Sequence, residues 1–196
     1  MDPHPFHGLA NFPYRTVDDL QAVRRQGIAS LDVQPQQATS WAMGQGGARG
    51  AAVALGIAAW IWVPILVLVA AFVTGSAWAT AAIPIAILYY NLGYPAGTRP
   101  RRGPSVAIPL AIAVFLSAAR SESIALAVIS SAALIAWASN RVGTKIAIRG
   151  FQDFLVANPP VLATLWLRNE IRIRTADGTF MQAGTTDTNG VVKPMI

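Results

Sequence analysis

Residues 50–98 read GAAVALGIAAWIWVPILVLVAAFVTGSAWATAAIPIAILYYNLGYPAGT, 49 consecutive positions without Asp, Glu, Lys, Arg or His. A charge at the bilayer centre costs at least about 2.5–3.5 kcal/mol on insertion scales, so an uncharged apolar window of this length predicts membrane-spanning helix. It is long enough for two helices of about 20 residues, and Thr74-Gly75-Ser76 supplies a turn between them. More widely, the 91 residues from Gly50 to Asn140 hold only five charged side chains, Arg99, Arg101, Arg102, Arg120 and Glu122, all of them between apolar runs. Two further uncharged stretches follow, Gly103 to Ala119 and Ser123 to Asn140, of 17 and 18 residues.

These windows predict an all-α integral membrane protein with about four transmembrane helices, near residues 51–73, 77–92, 104–119 and 123–139. Seventeen residues rise only about 26 Å against a hydrocarbon core of about 30 Å, so the alternative is three spans plus a re-entrant third segment. The predicted domains are an N-terminal cytoplasmic tail over 1–50, with a short helix and a Gly-rich linker, a membrane domain over 51–140, and a cytoplasmic module over 141–196. That module is expected to hold an amphipathic helix and a β-hairpin.

Composition agrees with this class. The chain is 54% hydrophobic and 12% charged, more apolar than a soluble core of 196 residues requires. Its formal net charge of +6 does not point to nucleic acid, because the basic residues flank hydrophobic segments, where they set orientation and meet anionic lipid. With no cysteine, disulfides, thiolate metal sites, iron–sulfur clusters and thioether-linked haem are excluded.

Orientation follows from where Lys and Arg collect. Arg15, Arg24, Arg25 and Arg49 precede the first span, Arg99, Arg101 and Arg102 follow the second, and Arg141, Lys145 and Arg149 follow the fourth. Alternating basic-rich and basic-poor loops place both termini in the cytoplasm of a multi-pass protein of the inner membrane, in a bacterial cell. The last two clusters are the candidate headgroup and topology residues. Trp78, Tyr89, Tyr90, Tyr94 and Trp137 fall at predicted span ends and read as interfacial anchors. The first 50 residues carry no basic segment followed by an apolar run of the kind that marks a secretory signal.

In the N-terminal tail, Pro3, Pro5 and Pro13 interleave with Phe6, Phe12 and Tyr14 in an extended strip whose aromatic rings need a surface. Thr16-Val17-Asp18-Asp19 resembles a helix N-cap, launching a short helix through about Gln26. Gly44-Gln45-Gly46-Gly47-Ala48-Arg49-Gly50 follows no strand and ends without Lys-Ser/Thr, so it reads as a flexible linker rather than a phosphate loop. Beyond the membrane domain, Ile146, Ile148, Phe151, Phe154 and Leu155 suggest an interfacial amphipathic helix that breaks at Asn158-Pro159-Pro160. Val161 to Leu167 is apolar but too short to span. The alternation from Glu170 to Thr175, the turn Ala176-Asp177-Gly178 and the return Thr179 to Gln182 predict a β-hairpin. Because an isolated hairpin is marginal in water, it is expected to rest on the preceding helix or to augment a sheet in another protein.

The missing chemistry bounds the function. No predicted span contains Asp, Glu, Lys, Arg or His, which removes the carboxylate and histidine proton relays, aspartyl dyads and metal ligands of membrane transporters and enzymes. The two histidines, His4 and His7, flank Pro5 without a clear third metal ligand. Ser130 and Ser131 sit mid-span with no base, and such hydroxyls ordinarily bond the preceding turn. Pro64, Pro84 and Pro109 predict kinks in the first three spans. What the spans do carry is small residues, such as Ala52 with Gly56, which let helices approach closely. The expectation is therefore a protein that is not an enzyme, with no catalytic, cofactor or metal site. It reads as a structural or assembly subunit of a multi-subunit membrane complex, of secretion, conjugation or energy-converting type. The alternatives are a small homo-oligomeric channel or passive transporter and a headgroup-binding membrane enzyme. Expected partners are other membrane subunits and anionic lipids, with room for homo-oligomers. Phe6, Phe12, Tyr14, Trp60, Trp62, Trp166 and Phe180 are the candidate partner contacts.

Overall fold

The computed structural model describes residues 6, 9, 11–93, 104–121, 123–176 and 178–183. It is mostly helical with a small antiparallel sheet, and it divides into two compact units, residues 1–38 with 148–196 and residues 39–147.

The first unit joins both ends of the chain. Thr16 caps helix α1 (Val17–Arg25) through a reciprocal capping box: its hydroxyl accepts from the Asp19 amide, and the Asp19 carboxylate accepts from the Thr16 amide, both at 3.1 Å. Arg24 and Arg25 in the last turn offset the negative end of the helix dipole. Strand β1 (Ala29–Val33) follows, an element that the sequence patterning does not predict. It pairs antiparallel with β2 (Ile171–Thr175), which pairs in turn with β3 (Phe180–Met181), giving the order β1-β2-β3. The predicted hairpin thus forms, yet the strand that supports it comes from the chain's own N-terminal region. Period-2 alternation buries Ala29, Leu31 and Val33 with Ile171 and Ile173 on one face and leaves Asp32 opposite Arg172 on the other. Leu20, Leu155, Leu162 and Trp166 complete the core.

Two further corrections concern helices. The predicted interfacial helix is not separate from the fourth span: α7 runs unbroken over Ile124–Ala157, 34 residues, because no proline intervenes before Asn158-Pro159-Pro160. Its apolar stripe of Phe151, Leu155 and Val156 is buried within the first unit instead of lying on a membrane surface. Helix α8 (Pro159–Leu167) starts at the predicted break, with prolines in its first turn where no amide partner is lost. The Gly-rich segment is also structured. Helix α2 (Pro35–Gly44) ends in it and α3 (Gly47–Ile57) begins in it, with Gly46 at φ +66° and Gly47 at φ +64° making the turn that a side chain would strain.

The second unit holds the apolar helices. The first predicted span is two helices, α3 and α4 (Ala59–Thr74), meeting at 63°. The bend falls at Ala58, not at Pro64, which sits inside α4. The second span begins as a 3-10 segment (Ala77–Ala81) and continues as α5 (Ala82–Gly93), where Pro84 lies in the first turn and costs no hydrogen bond. Helix α6 (Pro104–Ser121) corresponds to the third span. Small side chains fill the centre: Ala59, Ala82, Ala86, Ala132 and Ala136 pack with Val63 and Val67, and Tyr89 packs with Ala111 and Ala133. Among the described residues one helix, Ile124–Ala157, is long and apolar enough to cross a membrane, and a second if the bent pair counts as one span. Ala77–Leu92 and Ile108–Ala118 are apolar but shorter.

Candidate functional site

The densest chemistry in the second unit is the place where α3 and α4 separate. A helix break frees carbonyls that would otherwise accept from the next turn, and a freed carbonyl in an apolar setting costs several kcal/mol unless it is bonded, on the order of the transfer cost of an amide. Here side chains supply the donors. The Trp62 indole donates to the Leu55 carbonyl at 3.0 Å, and the Tyr90 hydroxyl donates to the Ile57 carbonyl at 2.7 Å. The carbonyl of Tyr90, in the last turn of α5, accepts from Asn140 Nδ2 at 2.8 Å, and Thr144 donates to Asn140 Oδ1 at 3.2 Å. Asn140 and Thr144, both fully buried, lie one turn apart on α7, so a polar chain ties the three elements together.

Beside this chain α3 and α7 touch backbone to backbone. A Cβ placed on Gly56 would lie 2.6 Å from the Ser139 carbonyl oxygen and 2.9 Å from the Gly143 Cα, and one placed on Gly143 would lie 3.1 Å from the Gly56 Cα. Glycine is required at position 56 because a side chain there would hold the helices apart, and position 143 is the less crowded side of the same crossing. Ser130 bonds the Leu126 carbonyl at 2.8 Å within its own helix, as expected of a mid-helix hydroxyl.

Outside this seam the surface is apolar. Phe72 is 89% exposed, Val73 75% and Trp78 81%, and Ile61, Ile65, Leu66, Leu68 and Val69 on α4 and Leu110 and Leu116 on α6 are exposed as well. Between α4 and the start of α7 runs a groove of about 360 Å³, lined by Trp62, Leu66, Val67, Val128, Ser131 and Ile135 among others.

The residues singled out by sequence are dispersed. Of the predicted anchors, Trp78 is exposed, whereas Tyr89 is buried in the helical core and Tyr90 is spent on the helix break. Trp137 is half-buried, with the Arg141 guanidinium 5.6 Å from its ring centre; its buried Nε1 meets no acceptor among the described residues. Arg141, Lys145 and Arg149 recur every fourth residue along α7. Among the candidate partner contacts, Phe6 and Trp166 are buried and Phe12 packs edge-on against Trp166 at 5.0 Å and near Phe6 at 4.5 Å, so the aromatic strip rests on the chain's own α8. Tyr14 lies 6.1 Å from Phe12, and burial raises its phenol above the usual tyrosine range. Phe180 lies under the Arg174 guanidinium at 5.8 Å. Trp62 is a clasp on the helix break, and Trp60, 52% exposed, stays available. Arg99, Arg101, Arg102, Tyr94, His4 and His7 lie outside the described residues.

Sequence reasoning misses Asn140, Thr144 and Gly143 as a group. Their signal is a polar pair four residues apart with an adjacent glycine, hidden because Asn140 reads as the end of a span when the helix is taken to stop there. No protein-family model, curated protein or solved structure matches this chain.

Proposed function

We propose that this chain is a non-catalytic structural or assembly subunit of a larger membrane complex, held in the inner membrane by the helices of residues 51–140 with both termini cytoplasmic. The exposure of its longest apolar helix carries this reading. In the helix that meets the length and hydropathy needed to cross a bilayer, only 28% of the apolar window is buried, whereas the core helix of a water-soluble protein hides most of such a window. Ile61, Ile65, Leu66, Leu68, Val69, Phe72 and Val73 of α4 are likewise exposed, and apolar side chains exposed in such number call for lipid or protein partners. Four crossings by the windows near 51–73, 77–92, 104–119 and 123–139 are the topology proposed, the first through a bent helix pair. At 1.5 Å per residue α7 is about 51 Å long, so it extends well beyond a core of about 30 Å.

The interior of the helical unit supports a packing role. An amide, hydroxyls and backbone carbonyls in its interior bond one another across three helices, which holds the helices together, and no carboxylate, amine or imidazole base stands beside them among the described residues. The test is mild detergent extraction of tagged protein from native membranes, after an alkaline carbonate wash. Retention in the pellet and stoichiometric co-purifying subunits are expected. Release by carbonate overturns the membrane placement, and a clean homo-oligomer overturns the subunit role in favour of a channel. Single cysteines at Ser76, Ser105 and Thr186 in this cysteine-free chain test topology: only Ser76 should label from outside.

A further inference from the structure

The first unit contains a concave site of a different character. Gln21, Arg24 and Arg25 from the last turns of α1 meet Asp153, Val156 and Ala157 from the last turn of α7 around a cavity of about 390 Å³. All six residues belong to the unit built from the chain ends, so the site is independent of the membrane reading.

We propose that this pocket binds a phosphate group through Arg24 and Arg25. Both arginines keep unused donors. A guanidinium carries five N–H groups in a fork that matches two oxygens of a phosphate. The bonds made here are Arg24 Nη2 to Asp153 Oδ1 at 3.2 Å and Arg25 Nη2 to the neutral Gln21 Oε1 at 3.4 Å, the second at the limit of a hydrogen bond. Two positive charges thus face one carboxylate. Asp153 is the one acidic side chain among the residues lining the pocket, so the Arg25 guanidinium has no carboxylate partner there.

Asp153 acts as a replaceable stand-in. Its side chain is 68% exposed while that of Arg24 is 21% exposed, so the carboxylate can swing into water and leave the less exposed Arg24 guanidinium to a better acceptor. A doubly charged phosphate bridging Arg24 and Arg25 satisfies both forks at once, which a single carboxylate cannot do. Val156 and Ala157 give the cavity an apolar wall that fits the carbon skeleton of a phosphate ester. Either a soluble phosphate ester or the headgroup of an anionic phospholipid presents this chemistry.

The experiment uses the full chain in nanodiscs of phosphatidylcholine. Glycerol 3-phosphate is titrated by calorimetry, and separately phosphatidic acid is introduced into the bilayer and its retention measured. Arg25→Gln, an exposed substitution that leaves the fold intact, should weaken binding about tenfold or more, through loss of a charge-assisted pair. Asp153→Asn should tighten it severalfold by removing the competing carboxylate, a change opposite in sign to that expected if Asp153 merely stabilised the fold. Saturable, Arg25-dependent binding of glycerol 3-phosphate identifies a soluble ester, and Arg25-dependent retention of phosphatidic acid alone identifies a lipid headgroup. Absence of both at millimolar ligand, or binding indifferent to Arg25→Gln or weakened by Asp153→Asn, overturns the proposal.

Discussion

Replacing Gly56 with alanine tests the helix crossing most directly. The added methyl would sit 2.6 Å from the Ser139 carbonyl oxygen and 2.9 Å from the Gly143 Cα. Both are backbone atoms, so no side chain can rotate away. Restoring ordinary contact at 3.4 Å moves α3 and α7 apart by about 0.8 Å, and a gap of that size forfeits about a quarter to a half of the dispersion energy of the atoms along the seam. It also stretches the bonds at Ile57 and Tyr90 that the crossing holds at 2.7 and 2.8 Å. Forced overpacking costs about 1–3 kcal/mol, and with two rigid backbone contacts below 3.0 Å the upper part of that range, about 2–3 kcal/mol, applies; alanine returns about 0.5–1 kcal/mol of helix propensity, so a net loss of about 1–2.5 kcal/mol is expected. At Gly143 the closest approach is 3.1 Å and the required shift is smaller, so Gly143→Ala should lie near neutrality. Gly44, at the end of α2, would have nothing within 4 Å of an added methyl and is the control that should lose nothing. Equilibrium unfolding in mixed micelles, followed by tryptophan fluorescence, gives the three values. A Gly56→Ala protein as stable as the parent, or less affected than Gly143→Ala, would refute the close crossing.

Further outcomes are expected in other parts of the fold. Asn140→Ala removes the bonds that the buried amide makes to the Tyr90 carbonyl and the Thr144 hydroxyl and should cost about 1–3 kcal/mol in the same unfolding assay, with Tyr90→Phe costing about 1 kcal/mol. Trp166→Ala empties a fully buried site against Phe12 and should cost about 3–5 kcal/mol while making the N-terminal segment sensitive to limited proteolysis. Burial raises the Asp32 carboxyl above the ordinary carboxylate range, against the opposing pull of Arg172 and Arg174. The folded chain therefore holds this proton more tightly than the unfolded chain, and stability falls as pH rises from the ordinary range through the raised value. Asp32→Asn should accordingly gain on the parent in melting temperature between acid and neutral pH, and a gain that shrinks over that interval would contradict the burial of this carboxyl.

The parts of this fold that are legible in the sequence are those set by local chemistry. Thr16 with Asp19 announces the start of α1, Asn158-Pro159-Pro160 the junction of α7 and α8, and the alternation from Glu170 to Thr175 the strand β2. Each signal depends on residues a few positions apart, which is the range over which capping, proline geometry and period-2 burial act. Strand β1 escapes because Ala29–Val33 is five residues long, with an alternation that gains meaning only when Ile171 and Ile173 lie opposite. The candidate site is almost illegible for the same reason. Glycine at 56 and at 143 is unremarkable until the two backbones meet, and Tyr90, read as a headgroup anchor, is diverted to a carbonyl that exists as an open acceptor only because the helix breaks at Ala58.

Composition and window length are enough to show that residues 50–140 are strongly apolar and poor in charge, with five charged side chains among 91 residues. They also show that the apolar windows within that stretch hold no Asp, Glu, Lys, Arg or His. No folding can alter either property. Which apolar faces meet, where a helix bends, and that the two ends of the chain share one sheet are settled only in three dimensions. These outcomes depend on pairs of residues such as Gly56 with Gly143, or Leu31 with Ile173, separated by dozens of positions, whose contact energy does not exist until the chain has brought them together.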